Sequence, residues 1–172
     1  MSTVYTPLSH RQLVAALIHI DAILPSESTK YSRIHTKNEL YAALARPPSA
    51  ADGPGYVYWM ETENSDGSIE SKAGFSNDPD SRLIEWGRQC YLSDLELITV
   101  IPTLHARKLE RVVHKFFKIA DLWKEPYCCE SCSVYHREKF EVDDFGGIPG
   151  ATNITEILRD LVDLGRLEST NV

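Results

Sequence analysis

"KAGFSNDPDSR", residues 72–82, runs from an alternating segment into one led by a proline. It predicts a strand end, a turn and a helix start. Asp78 is a favoured N-cap, and Pro79 suits the first helical position, where the amide it lacks would have no helical partner. Gly74 and Arg82 flank that junction, one closing the strand and the other lying in the first helical turn. Upstream, "YVYWMETE" (56–63) is aromatic and β-branched, "NSDGS" (64–68) carries turn chemistry, and "IESKAGF" (69–75) alternates. Together they predict an antiparallel hairpin.

Downstream, Leu83, Ile84 and Trp86 supply apolar packing for the helix, and "LELITVI" (95–101) reads as a third strand. From Ala106 to about Trp123 the spacing is helical, with Leu109, Val112, Val113, Phe116, Phe117 and Ala120 on one broad face. "EKFEV" (138–142) predicts a last strand, "DDFGGIPG" (143–150) a break, and Asn153 with Glu156 the cap of a final helix over 154–167. The first residues are helical in pattern, with capping boxes at Ser9/Gln12 and Thr36/Glu39, and "RPPSAADGPG" (46–55) reads as a linker. The expected organisation is a helical extension (1–46), a linker (47–54), a domain (55–142) and an acidic segment with one helix (143–172). The expected fold is α+β: a small antiparallel sheet, hairpin plus one or two further strands, flanked by helices.

With 172 residues, 42% of them apolar, the chain can bury a core. Lys and Arg number 18 against 25 Asp and Glu, a net charge of −7, which speaks against strong non-specific binding to nucleic acid. One stretch departs from that balance: Arg107, Lys108, Arg111, Lys115 and Lys118 surround the single carboxylate of Glu110. No basic start is followed by an apolar run, and no segment approaches the ~20 apolar residues of a membrane helix. The expectation is therefore a soluble intracellular protein, nuclear or cytoplasmic, with no membrane partner.

"GYVY" (55–58), "KAG" (72–74), Arg82 eight residues after that glycine, and a glutamate in the next long helix resemble the GIY-YIG nuclease superfamily. The nearest branch is the phage-type DNA-binding domain that also occurs in fungal proteins, in which "KIG" stands for "YIG". The resemblance covers about residues 53–142. It implies hydrolysis of a DNA phosphodiester with one divalent cation, normally Mg²⁺. Tyr58 then matches a hydroxyl that positions water or substrate, Arg82 the arginine that neutralises the scissile phosphate, and Glu110 the metal-ligating carboxylate. Lys72 stands where competent members carry a second tyrosine, and Trp86 where some carry a histidine. A lysine acts as a base only where burial or a neighbouring cation depresses its pKa; otherwise it is a phosphate contact.

The chemistry of these residue types suits that role independently. Phosphodiester cleavage calls for a cation and a hard oxygen ligand, and Mg²⁺ keeps most of its waters, so one carboxylate with substrate oxygens suffices. An arginine fork matches phosphate better than a lysine point charge. Arg107, Arg111 and His114 lie within a turn of Glu110 and, with Arg137, are further candidate nucleic-acid contacts.

A second constellation is "YCCESCSVYHREKF" (127–140). Cys129-x-x-Cys132 is a spacing at which two thiolates grip one Zn²⁺, and His136 follows four residues on. A structural site needs a fourth ligand. Cys90 is the expected one, with Cys128 the alternative and His105 and His114 in reserve; unligated, partly buried thiols are the competing reading. DNA is the expected partner, with RNA and, through the terminal helices, a protein as alternatives. The competing functions are a DNA-binding module without turnover and a zinc-stabilised protein-interaction domain.

Overall fold

The computed structural model describes residues 33–140 apart from 65, 121, 131 and 138, residues 148–167, and the single positions 11, 14, 15 and 18. The hairpin forms where the alternation places it. β1 (Gly55–Glu63) and β2 (Ile69–Ser76) pair antiparallel, with Tyr58 opposite Gly74 and Met60 opposite Lys72. The turn between them passes through Gly67 at φ 82°, a left-handed conformation that glycine enters without steric penalty. β3 (Glu96–Thr103) pairs with the other edge of β1, and β6 (Lys139–Phe140) with β2, in the order β3-β1-β2-β6. A separate two-stranded ladder joins β4 (Tyr127–Cys128) to β5 (Tyr135–His136). The helices described are α1 (Arg33–Ala45), α2 (Pro79–Cys90), α3 (Ala106–Ile119) and α4 (Ile148–Leu167). The fold is α+β, as expected.

Because strand side chains alternate, β1 serves two cores. Val57 and Trp59 join Ala73 of β2 on the face covered by α3, where Leu109, Val112, Val113, Phe116 and Phe117 are buried. Leu40 and Leu44 of α1 and Ile154, Leu158 and Val162 of α4 close the same core. On the opposite face Tyr58 and Met60 pack against Trp86 and Cys90 of α2 in a second, smaller cluster. The Trp59 ring lies 4.9 Å from that of Phe117. Each such fully buried apolar side chain contributes about 2 kcal/mol.

Several expectations are corrected. Ile84 is exposed, because the α2 side that meets the sheet carries Trp86 and Cys90. Of the expected last strand, Lys139–Phe140 is described and pairs with β2, while 138, 141 and 142 lie outside the described residues; Lys139 is buried, its ammonium paired with Glu70. α3 ends at Ile119. α4 starts at Ile148, so Asn153 is interior rather than a cap; Pro149 occupies its first turn, where a missing amide does no harm. Thr36 likewise lies inside α1, and the Ser9/Gln12 box falls outside the described residues.

α2 is capped as the sequence predicts: the Asp78 carboxylate accepts from the Ser81 amide at 3.1 Å. α3 is capped from a distance. Its preceding residue, His105, makes no side-chain cap bond, and the Asp52 carboxylate instead accepts from the amides of Arg107 (3.0 Å) and Lys108 (2.9 Å). The Lys108 ammonium is buried and donates to the Leu44 carbonyl at 2.7 Å, tying the end of α1 to the start of α3. Burial pulls that ammonium's pKa down to about 8 against the opposing charges of Asp52 and Asp163. Replacing Asp52 with alanine should lower stability by about 1–2 kcal/mol, read as a fall in the urea midpoint with unchanged slope, while Asp52→Asn should lose less; an unmoved midpoint in Asp52→Ala would show that the cap is not used.

Candidate functional site

The glycine at the end of β2 is explained by Tyr58. A Cβ built on Gly74 would stand 2.4 Å from the Tyr58 hydroxyl and 2.6 Å from its ring carbon Cζ, closer than atoms can come. The phenol of β1 therefore lies flat over the backbone of β2, in a space that only glycine leaves. A Cβ built on Gly55, the first residue of β1, would likewise stand 2.9 Å from Asn77 Oδ1 and 3.0 Å from the Ala106 Cβ. The two glycines let the strand, the α2 turn and the start of α3 crowd together.

Arg82 completes this unit. It lies one turn into α2 with its side chain on the outside, and its guanidinium is held above the ordinary arginine range by the Tyr58 hydroxyl, with Glu85 adding to the effect. Glu85 also forms an i,i+3 ion pair with it. The structure thus brings Tyr58 and Arg82 together, and Lys72 shares their face of the sheet. The Lys72 ammonium sits 5.0 Å from the centroid of the Trp86 ring, a cation–π contact, so Trp86, one turn past Arg82, supports a cation.

Glu110 comes from the other layer. Among the described residues β2 pairs with β6 through Ser71 and Lys72, and α3 crosses the end of β2 beyond them. There the Arg107 guanidinium lies 4.9 Å from the Phe75 ring, and His114 Nε2 lies 2.9 Å from the Ala73 carbonyl. That carbonyl can only accept, so Nε2–H donates. Arg107, Glu110 and His114 share one side of α3, and Glu110 is half-buried there. Arg111 turns elsewhere: it lines a groove of about 280 Å³ between α1 and α3 with Arg46 and Lys115. Arg137 lies beside Lys72, in a pocket treated below.

The candidate metal centre is assembled from two distant stretches. The ligand atoms of Cys90, Cys129, Cys132 and His136 all lie within 4.8 Å of one another. Cys90 Sγ is 3.7 Å from Cys132 Sγ, and both sulfurs are 3.4 Å from His136 Nε2. Tetrahedral Zn²⁺, with bonds of the usual length, sets S···S at ~3.8 Å and S···N at ~3.5 Å. The spacing fits a Cys₃His ion site and is far too long for a disulfide. Cys128, the alternative ligand, is exposed and outside the cluster, because β4 turns it away from the side that faces Cys90. His105 and His114 are outside it too.

The surroundings are shaped for the same purpose. Among the described residues the non-glycine positions with positive φ are Tyr91 and Ser133, both at 55°, each directly following a ligand cysteine. The Ser133 amide donates to the Cys129 carbonyl at 2.8 Å and the Cys129 amide to the Val134 carbonyl at 2.9 Å, closing a tight knuckle around Cys129 and Cys132. Such conformations cost about 1–3 kcal/mol each and persist where something over-determines them. Burial and the neighbouring Cys132 push the Cys90 thiol up to about 12, so the thiolate needs a cation to form. The buried Trp86 Nε1 has no oxygen or nitrogen acceptor, and its interaction with Cys90 favours the thiolate. Burial, with Lys139 and Lys72 close by, holds His136 below its ordinary pKa, in the neutral form that ligates.

Sequence reasoning missed Glu70. This buried carboxylate accepts from Tyr127 Oη at 2.8 Å, from Lys124 Nζ at 3.2 Å and from Lys139 Nζ, and so fastens the metal-bearing loop to β2. Burial alone would raise its pKa, but the bond and charge of Lys139, with Tyr127 and Lys124, hold it below the usual range. The only signal in the sequence was a glutamate facing inward in an alternating strand.

Two outcomes check this geometry. Native mass spectrometry should find one Zn²⁺ per chain, lost together with thermal stability in Cys132→Ser and kept in Cys128→Ser; a metal-free wild type of equal stability would rule the centre out. Gly74→Ala should destabilise by about 1–3 kcal/mol, and by much less in a Tyr58→Leu background, where the obstructing ring is gone; equal losses in both backgrounds would show that the phenol is not the obstacle.

The family model that matches this chain is the T5orf172 domain, over residues 55–162, a span that starts at the β1 glycine and includes the metal-binding loop and most of α4. No curated protein and no solved structure matches it. With well over half of its length inside that match, the chain belongs to the T5orf172 domain family.

Proposed function

We propose that the domain binds nucleic acid, DNA in the first place, and hydrolyses a phosphodiester on the GIY-YIG pattern. The observation that carries this is the Tyr58–Gly74–Arg82 unit. A tyrosine hydroxyl is locked over a glycine that cannot be replaced, next to an exposed guanidinium on a helix that starts with a capped proline turn. Membership of the T5orf172 domain family supports the reading.

In this reading Arg82 receives the scissile phosphate, for which its planar fork is suited. Tyr58, held by Gly74 and Arg82, orients the attacking water or the phosphate oxygen. Glu110, on the side of α3 that carries Arg107 and His114, is the carboxylate for a divalent cation. Among the described residues the Cys/His cluster is the one grouping of three or more candidate ligands, so a cation at Glu110 would depend on substrate oxygens and water for its remaining contacts. Mg²⁺ tolerates that arrangement. When bound, it would stabilise the charge that develops on the phosphate.

Lys72 supports a second reading, a binding module without turnover. Its ammonium is held on the Trp86 ring at the place where competent GIY-YIG members carry a tyrosine, and there it serves as a phosphate contact. A plasmid-nicking assay separates the two. The nuclease reading expects Mg²⁺-dependent nicking, reduced at least ~100-fold by Arg82→Ala, as for loss of a transition-state donor, and abolished by Glu110→Ala while binding survives. Salt-sensitive binding with no nicking in Mg²⁺ or Mn²⁺ identifies the module, and no binding at low salt rejects both.

A further inference from the structure

We infer that a second subsite, between Lys72 and the metal-bearing loop, takes an unpaired nucleotide of the bound strand, stacking its base on Tyr135 and its phosphate on Lys72 and Arg137. This rests on the proposed nucleic-acid-binding function and specifies which part of the strand the domain grips. The subsite is a pocket of about 230 Å³ lined by Lys72, Gln89, Val134, Tyr135, Arg137 and Lys139, with the His136 ring at its back. No carboxylate lines it, although the chain as a whole carries a net charge of −7. Lys72 and Arg137 in a concavity without a carboxylate favour an anion there.

The lining also supplies more than charge. Tyr135 is 56% exposed, a large aromatic turned to solvent from a two-residue strand, while its neighbour His136 is buried. The Arg137 guanidinium lies 5.9 Å from the Tyr135 ring centroid. An exposed ring flanked by arginine stacks a nucleobase without reading its sequence, and it does so only when the base is out of a duplex. Gln89 offers both a donor and an acceptor to such a base. The wall is rigid: the knuckle at Cys129–Ser133 fixes β5 from one side, and Trp123 Nε1 donates to the Arg137 carbonyl at 2.9 Å from the other.

The position is consistent with one continuous strand. Arg82 and Gln89 are two turns apart on the same side of α2, a rise of about 10 Å. That equals roughly three base steps at the 3.4 Å spacing of a stacked strand. Between them Lys72 lies over Trp86. A strand whose phosphate sits at Arg82 therefore reaches the pocket about three nucleotides further along.

The test uses the full chain and two fluorescein-labelled probes of equal length, an oligo-dT strand and a duplex, in anisotropy titrations at fixed salt. Tyr135→Ala should weaken binding of the oligo-dT strand about tenfold and leave the duplex unchanged, and Tyr135→Phe should restore it. Arg137→Gln should flatten the dependence of affinity on salt by about one phosphate contact. Unchanged zinc content and melting temperature would show that the variants fold. A wild type that binds both probes while Tyr135→Ala leaves oligo-dT affinity unchanged, or loses both probes equally, overturns this inference alone. A wild type that binds neither probe overturns the parent reading with it.

Discussion

The contact between the Tyr58 phenol and the bare Cα of Gly74 governs the functional face. Any slip of the hairpin by one residue would send Tyr58 to the α3 side and drive its ring into a side chain of β2. The observed register, Tyr58 opposite Gly74, is the one in which the ring fits. With the ring in place, α2 can start at Pro79 close enough for Arg82 to meet the hydroxyl. A single missing methyl group thus links strand pairing, helix position and the placement of a cation.

The two faces of the sheet are stabilised by different physics. On the α3 side, aromatic and aliphatic side chains from α1, α3 and α4 bury a continuous apolar volume, and hydrophobic transfer is enough. On the α2 side a short helix meets the stretch between Trp123 and Phe140, which has few apolar residues and pieces of strand only two residues long. Such a segment cannot bury enough surface to offset its ordering entropy. Glu70 fastens both ends of it, through Lys124 and Tyr127 and through Lys139, and the Cys₃His cluster sets its middle beside the last residue of α2. Ion binding would supply folding free energy where the core does not.

What the sequence made legible was local or carried by distinctive chemistry. The hairpin, the Asp78–Pro79 helix start and the α3 apolar face follow from period and capping rules that need no partner elsewhere. Cys90 could be paired with a loop some 40 residues away only because a two-cysteine, one-histidine set is incomplete without a fourth ligand. Features set by distant partners were hidden. Nothing around Asp52 marks it as the cap of a helix 55 residues on, since its neighbours read as a loop. Asn153 with Glu156 satisfied the local cap rule, yet the helix runs on back to Ile148, because Pro149 and Gly150 are tolerable in a first turn. Lys139 read as a surface lysine because alternation cannot reveal a buried carboxylate on the neighbouring strand.

The lysine at position 72 gains a physical rationale from its neighbours. Zn²⁺ held by three thiolates and a neutral imidazole would carry a net charge of −1, and the candidate centre lies on the α2 side of the sheet, as does Arg82. Left alone, that charge would repel a polyanion. Lys72 and Lys139 stand 5.0 and 5.4 Å from the Trp86 ring centroid, with Trp86 itself against Cys90, and both lie near enough to His136 to lower its pKa. Lys139 is matched by Glu70, and Lys72 is a second cation on the same ring, near enough to the centre to offset its charge. A tyrosine there would keep a hydroxyl for chemistry but leave the metal's charge facing the substrate. A thiolate-rich metal in this loop would give the chain an electrostatic reason to place an ammonium at position 72, where the GIY-YIG resemblance calls for a phenol.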